Sequence, residues 1–295
     1  VKADAYGHGA VPVAQAALEA GAAWLGVATP EEGRLLRQAG IRAPVLVLGP
    51  VLPSDAELSV RDALDQCVSD LAQIEALQQA AEAQGREAWV HIKVDTGMGR
   101  VGFRPEEMPR VAARLGAAPR VRVRALMTHF ADAEAADGAY TAEQLRRFDR
   151  AWRACRAAGL EPPLRHAANS AGLLRAPEAR FDLVRPGILL YGYPPCGGAP
   201  PLRPALRLST RILQLKDLPA GAAVSYGRTF VAPRAARVAL LPVGYADGWS
   251  RLLSNCGQVL VRGRRARIVG RVCMDLTLAD VTGIPEVAVG DEVVL

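Results

Sequence analysis

The chain has 295 residues, half of them hydrophobic, which is enough to bury a large core and to form two domains. A net charge of +6 and a pI near 9.3 invite a nucleic-acid partner, but aromatics are only 5%, too few for a base-stacking surface. No apolar run is long enough to span a membrane, and five scattered cysteines without a CxxC pair fit a reducing, cytoplasmic compartment.

Only three of the 36 basic residues are lysines, and two of them lie in motif-like segments. Lys2 opens Val1-Lys2-Ala3-Asp4-Ala5-Tyr6-Gly7-His8-Gly9-Ala10, and Lys93 lies in His91-Ile92-Lys93-Val94-Asp95-Thr96-Gly97-Met98-Gly99-Arg100. Arginine serves where a fixed charge is enough, whereas an amine can lose its proton and act as base or nucleophile. An amine followed by a tyrosine, two glycines and a histidine suits a carbonyl-bearing cofactor with a phosphate, and pyridoxal 5'-phosphate is the first hypothesis. Both ends read as cut. Val1 leaves Lys2 without a preceding element, and 287–295 reads as strand, turn and strand with no terminal element.

After Lys2, short apolar runs alternate with alanine-rich amphipathic stretches, the pattern of βα units on a parallel sheet. In chain order the spacing predicts a helix over 11–20, a strand over 24–28, a helix over 31–39, and strands over 45–48 and 66–69. A helix over 71–83, a strand over 89–94, a helix over 105–115 and a strand over 122–128 follow. The series closes with a helix over 142–158 and strands over 164–168 and 183–191. Seven strands and one implied before Lys2 give the count of a (β/α)8 TIM-type barrel, with its first strand missing. No GxGxxG turn supports a doubly wound sheet.

Lys2, Asp95, His129, Asn169-Ser170 and Arg185 fall at the C-terminal ends of these strands, the face where barrels build their sites. Asn169-Ser170-Ala171-Gly172 and Arg185-Pro186-Gly187-Ile188 offer backbone N–H groups and a hydroxyl to a phosphate. Beyond Pro201 the helical period fades and glycine-punctuated β-branched runs predict an all-β second domain. The expected division is 1–201 and 202–295, with 194–204 as the proline-rich linker.

Together these segments resemble alanine racemase, a fold-type III pyridoxal-phosphate enzyme. The resemblance runs through 1–9, 93–100, 128–131, Asn169-Ser170, 184–192, Ser225-Tyr226-Gly227, 244–249 and 271–275, in family order over nearly the whole chain. It implies a homodimer that interconverts L- and D-alanine for peptidoglycan synthesis. Lys2 would carry the cofactor as a Schiff base and then serve as the base on one face of the substrate. Tyr226 from the partner subunit would serve the other face, since a proton removed on one side must return on the opposite side. By the same resemblance Arg185 meets the pyridine nitrogen and His129 bonds Arg185. Arg100 binds the phenolic oxygen and the substrate carboxylate, and Lys93 is the lysine often carbamylated beside it. Tyr6, Asn169, Ser170, Gly187 and Ile188 hold the cofactor, mainly at its phosphate. Tyr245 and Met274 wall the substrate, and Arg251 and Arg271 line the way in. The chain departs from the family at Leu276, where a glutamine is common, and lacks a C-terminal phosphate-contacting tyrosine.

Plainer roles compete with these. Lys2 can be a surface lysine, Lys93 an ion pair with Asp95, and Arg185 an ion pair with Asp182. Asn169 and Ser170 can cap a helix that begins near Ala171. His129 can be a core histidine, and Tyr226 and Tyr245 can be core aromatics of the β-domain. His8, His91 and His166 have no carboxylate or cysteine at ligand spacing, so they read as structural and no metal is expected.

Overall fold

Six of the apolar runs pair in chain order as a parallel sheet, β1 Leu25–Val27, β2 Val45–Val47, β3 Asp65–Val68, β4 Ala88–Lys93, β5 Val121–Met127 and β6 Leu164–His166. A computed structural model describes residues 1–295, which divide into two units, Val1–Ala205 and Leu206–Leu295. The first unit is an open half-barrel. Its helices are α1 Lys2–Gly7, α2 Ala10–Glu19, α3 Pro30–Gln38, α4 Ala56–Arg61, α5 Leu71–Ala83, α6 Met108–Gly116, α7 Ala139–Ala157 and α8 Ser170–Arg175. Strands β2 and β3 are buried along their whole length, as parallel strands covered on both faces must be.

Local chemistry explains where the helices start. Asp70 accepts from the Ala72 N–H at 2.7 Å while Gln73 reaches back to the Asp70 N–H at 3.2 Å, a reciprocal cap that opens α5. Thr29, Pro30 and the Glu31-Glu32 pair open α3 in the same spirit. Helix α6 then buries Met108, Val111, Ala112 and Leu115 against the sheet, each large apolar side chain contributing about 1.5–3 kcal/mol.

The strand expected over 183–191 does not form. Asp182 and Arg185 donate to the Arg165 and Ala168 carbonyls at 3.1 and 2.9 Å, so the segment follows β6 for a few residues. Pro186 then removes a donor, and Ile188–Tyr191 winds into a 3-10 turn ending at Gly192 with φ 88°.

The second unit is antiparallel throughout. Its main sheet runs β7 Ser209–Arg211, β15 Glu292–Val294, β12 Gln258–Val261, β13 Arg264–Ile268, β14 Thr277–Asp280, β11 Ala236–Leu241 and β8 Gln214–Leu218, beside a small hairpin of β9 Ala223–Val224 and β10 Phe230–Val231. Strand β12 alternates outward and inward, placing Val259 and Val261 in a core with Ile212, Leu241, Ile268 and Val293. The dense arginine run holds the tight turn between β12 and β13, with Arg262 and Gly263 at φ 49° and 74°. No helix is long and apolar enough to cross a membrane.

Candidate active site

Lys2 begins a turn wound with the opposite hand to an ordinary helix. Ala3, Asp4, Ala5 and Tyr6 have φ between 50° and 57°, a conformation that costs about 1–2 kcal/mol for each residue bearing a Cβ. Polar contacts offset the strain. Glu32 accepts from the Ala3 N–H at 2.7 Å and, with its other oxygen, from the Ala28 N–H at 2.6 Å at the end of β1. Asp4 accepts from the Ala10 N–H at 2.7 Å and so ties the turn to α2. Lys2 is exposed, and Tyr6 is delivered against Tyr191, with ring centroids 4.9 Å apart.

Tyr6 also faces Gly187, where an added Cβ would lie 2.5 Å from the phenol oxygen. The Ser170 hydroxyl accepts from the Gly187 and Leu189 N–H groups at 2.8 and 3.3 Å, and Asn169 caps α8 through the Gly172 N–H at 2.9 Å. Asn169 thus caps α8 while the Ser170 hydroxyl ties the start of that helix to the 3-10 turn at Ile188. This cup, closed by a phenol and open only because residue 187 lacks a side chain, fits a phosphate group.

Arg185 is held by five polar contacts and no carboxylate. One terminal nitrogen lies 2.6 Å from His166 Nδ1, and the other reaches the carbonyls of Thr128 at 2.7 Å and Ala167 at 3.0 Å and His129 Nδ1 at 3.3 Å. A fifth contact is its own backbone N–H to Ala168. Asp182 instead accepts from the Arg165 N–H at 2.8 Å, so the Asp182–Arg185 pair is not made. The histidine expected to bond Arg185 was His129; His166, read as merely structural, makes the shorter contact. A guanidinium only donates, so His166 must accept at Nδ1 and carry its proton on Nε2. That proton points to His91 Nδ1 at 2.8 Å, which leaves the His91 proton on Nε2, 3.5 Å from Asp65 Oδ2. Asp65 accepts instead from Arg124 at 2.9 Å, and Arg124 stacks 3.8 Å over Trp89. Sequence spacing could not reveal this, because β3, β4 and β6 bring Asp65, His91 and His166 together across the sheet.

Burial and the neighbouring cations keep all of these imidazoles neutral. Burial, with Arg185 next, pushes His129 down to about 3 and His166 well below its ordinary value. His91 is lowered too, chiefly by burial. Arg185 itself is lowered by burial to about 10, still a cation at neutral pH. Such a group opposite a pyridine nitrogen cannot protonate it, which limits electron withdrawal into the ring. The cup and the cation together fit pyridoxal phosphate.

Lys93 ends β4 with 6% of its surface exposed, and no carboxylate pairs with it. Asp95 turns away to accept from the N–H groups of Gly97, Met98 and Gly99 at 2.9, 2.9 and 3.1 Å, which folds the loop that carries Arg100. Burial lowers the Lys93 amine to about 7, with Arg185 and Arg100 adding to the effect. Arg100 is exposed, His129 is half-buried and Ile188 lies at the rim.

In the second unit, Tyr226, Tyr245 and Met274 are 70%, 45% and 54% exposed, so none is a core residue. Tyr226 sits in a strained turn with φ 63° at Ser225, 70° at Gly227 and 50° at Arg228. The Ser225 hydroxyl donates to the Arg271 carbonyl at 2.7 Å, and Tyr245 and Ala246 donate to the Cys273 and Met274 carbonyls at 3.1 and 3.0 Å. Arg271–Met274 thereby links both tyrosines to one loop. No group of three or more His, Cys, Asp or Glu side chains is arranged to hold a metal ion.

The sequence matches the family of alanine racemase N-terminal domains over residues 1–195 and that of alanine racemase C-terminal domains over residues 205–295. The chain belongs to the alanine racemase family. It is 50% identical to an alanine racemase of Symbiobacterium thermophilum, over all of this chain and 79% of that protein. Among solved structures, alanine racemase from Clostridium difficile 630 superposes with a TM-score of 0.95 at 35% identity, covering all of this chain and 78% of that one. The Bacillus anthracis alanine racemase with bound L-Ala-P gives 0.92 at 37% identity, covering 100% and 77%. As a member of this family the chain is an isomerase of the racemase type.

Proposed function

We propose that the chain binds pyridoxal 5'-phosphate and interconverts L- and D-alanine as half of a homodimer. The observation that carries this reading is the meeting of Tyr6, Ser170 and Gly187 in one cup, together with a buried Arg185 cation held by neutral histidines, one of which feels the Lys2 charge. When bound, the cofactor supplies the electron sink that acidifies the substrate Cα–H. Its phosphate would be held by Tyr6, Ser170 and the Ile188 amide beside Asn169, in the space that Gly187 leaves by lacking a side chain, and its ring nitrogen by Arg185, steadied by His129 and His166.

The Lys2 amine takes or returns the Cα proton on one face. The Tyr226 phenol of a second copy does so on the other, beside that copy's Tyr245 and Met274, and the exposure of all three fits a surface covered when two copies associate. Arg100 binds the substrate carboxylate. With burial lowering its amine to about 7, Lys93 can react in its neutral form with carbon dioxide to give a carbamate and release a proton, placing a negative charge near Arg100. The D-alanine would feed peptidoglycan synthesis in the cytoplasm. A barrel that only buffers cofactor would not need the second unit and its exposed Tyr226.

Tyr226→Phe tests the two-base assignment. Exchange of the Cα proton should fall at least tenfold more from one enantiomer than from the other, measured by NMR in deuterated water. Equal losses from both would remove Tyr226 from its role.

A further inference from the structure

A buried amide on α7 connects the loops after β4 and β5, and every one of its hydrogen bonds has a defined direction. Gln144, Thr96 and Thr128 are 0%, 1% and 0% exposed. Thr128 donates its hydroxyl proton to the Val94 carbonyl at 2.9 Å, so in its 2.8 Å contact with Thr96 it must accept. The Thr96 proton is thereby engaged, and the Thr96 oxygen accepts from Gln144 Nε2 at 3.1 Å. The second hydrogen on that nitrogen goes to the His129 carbonyl at 3.1 Å, while Gln144 Oε1 accepts from the Ala131 N–H at 2.9 Å. No donor is duplicated, and the order fixes which end of the amide is nitrogen.

The same helix grips the β4 loop twice more. Tyr140 donates to the Gly97 carbonyl at 2.7 Å and Arg147 to the Thr96 carbonyl at 3.1 Å. Tyr140, Gln144 and Arg147 are spaced four and three residues apart, one face of a helix. Only Gln144 reaches both loops.

We propose that Gln144 is a positioning residue for the reaction: its two amide N–H groups set the spacing between the loop that carries Arg100 and the strand end that carries His129. The consequence for turnover rests on the roles given above to Arg100 and His129; the clasp itself does not.

Two variants separate the donors from the bulk of the side chain. Gln144→Glu keeps the size and the acceptor for Ala131. It leaves no donor when ionised or a single one when burial protonates it, so at least one of the two donated bonds is lost, whereas Gln144→Leu removes all three bonds. In the cofactor-free chain, amide hydrogen exchange read by NMR should show Ala131 protected in the Glu variant and unprotected in the Leu variant. The Gly97, Met98 and Gly99 amides should exchange about tenfold faster in both, the effect of one buried hydrogen bond. With pyridoxal phosphate added, KM for alanine should rise about tenfold, by the same reasoning, with a smaller change in kcat. Thr96→Val removes the acceptor of that link together with the Thr96–Thr128 bond and should speed the loop exchange at least as much, which covers a Glu variant that fails to fold. Wild-type exchange at Gly97–Gly99 or an unchanged KM in Gln144→Glu overturns the proposal. A wild-type chain without turnover contradicts the racemase reading instead, and the exchange pattern then decides the clasp alone.

Discussion

Replacing Lys93 with methionine should make the cofactor-free chain more stable at pH 7, although it removes a residue assigned to the site. Lys93 is 6% exposed, and burial has lowered its amine from 10.5 to about 7. The unfolded chain keeps that proton up to about pH 10.5 and the folded chain only up to about 7, so the unfolded state binds more protons between those values. Stability therefore rises with pH across that window and is unaffected by this group below it, where both states are charged and the folded state bears the full penalty. At about 1.4 kcal/mol for each pKa unit the penalty is at most about 5 kcal/mol, and relaxation around the amine reduces it. Urea unfolding in carbonate-free buffer, followed by Trp24, Trp89 and Trp152 in a Trp249→Phe background, reads the difference. Lys93→Met should exceed wild type by a few kcal/mol at pH 7, within that upper limit, and the gap should close towards pH 10. Bicarbonate near pH 8 should stabilise wild type, by mass action on the carbamate, and leave Lys93→Met unchanged. Parallel pH slopes for the two chains would refute the reasoning.

Two further outcomes are expected. Gly187→Ala puts a methyl 2.5 Å from the Tyr6 oxygen, so fluorescence titration with pyridoxal phosphate should show affinity at least tenfold weaker with little change in thermal stability; unaltered affinity would dismiss the cup. In the cofactor-free chain, nitrogen-15 spectra should show His91 and His166 neutral, each with its proton on Nε2; a proton on Nδ1 of either would break the direction of the chain from Arg185 to His91.

What could be read in the sequence was set by local chemistry. Helix α5 matches its expected bounds to the residue, and the Asp70–Gln73 cap seen in the structure explains why its start is sharp; β4 and β5 emerge within a residue of their expected bounds. Helix α4 is too short to show a period, so it was not predicted. The strand over 183–191 was overcounted because its apolar residues mimic a buried strand, whereas Pro186 and the turn at Gly192 decide the backbone. At the site, Lys2, Tyr6, Ser170 and Gly187 belong to motifs close in sequence to the elements that place them. The contacts of Arg185 with His166, of His166 with His91, and of Gln144 with Thr96 join residues 19, 75 and 48 positions apart, and only the sheet brings them together. The left-handed turn after Lys2 was invisible too, since Ala3 and Ala5 carry no signal for positive φ and a lone Asp4 only a weak one.

The most direct test of the account is to incubate the purified chain with pyridoxal phosphate and L-alanine in deuterated water and to separate the enantiomers by chiral chromatography. D-alanine carrying deuterium at Cα is the expected product. Cofactor bound with no D-alanine formed would contradict the account.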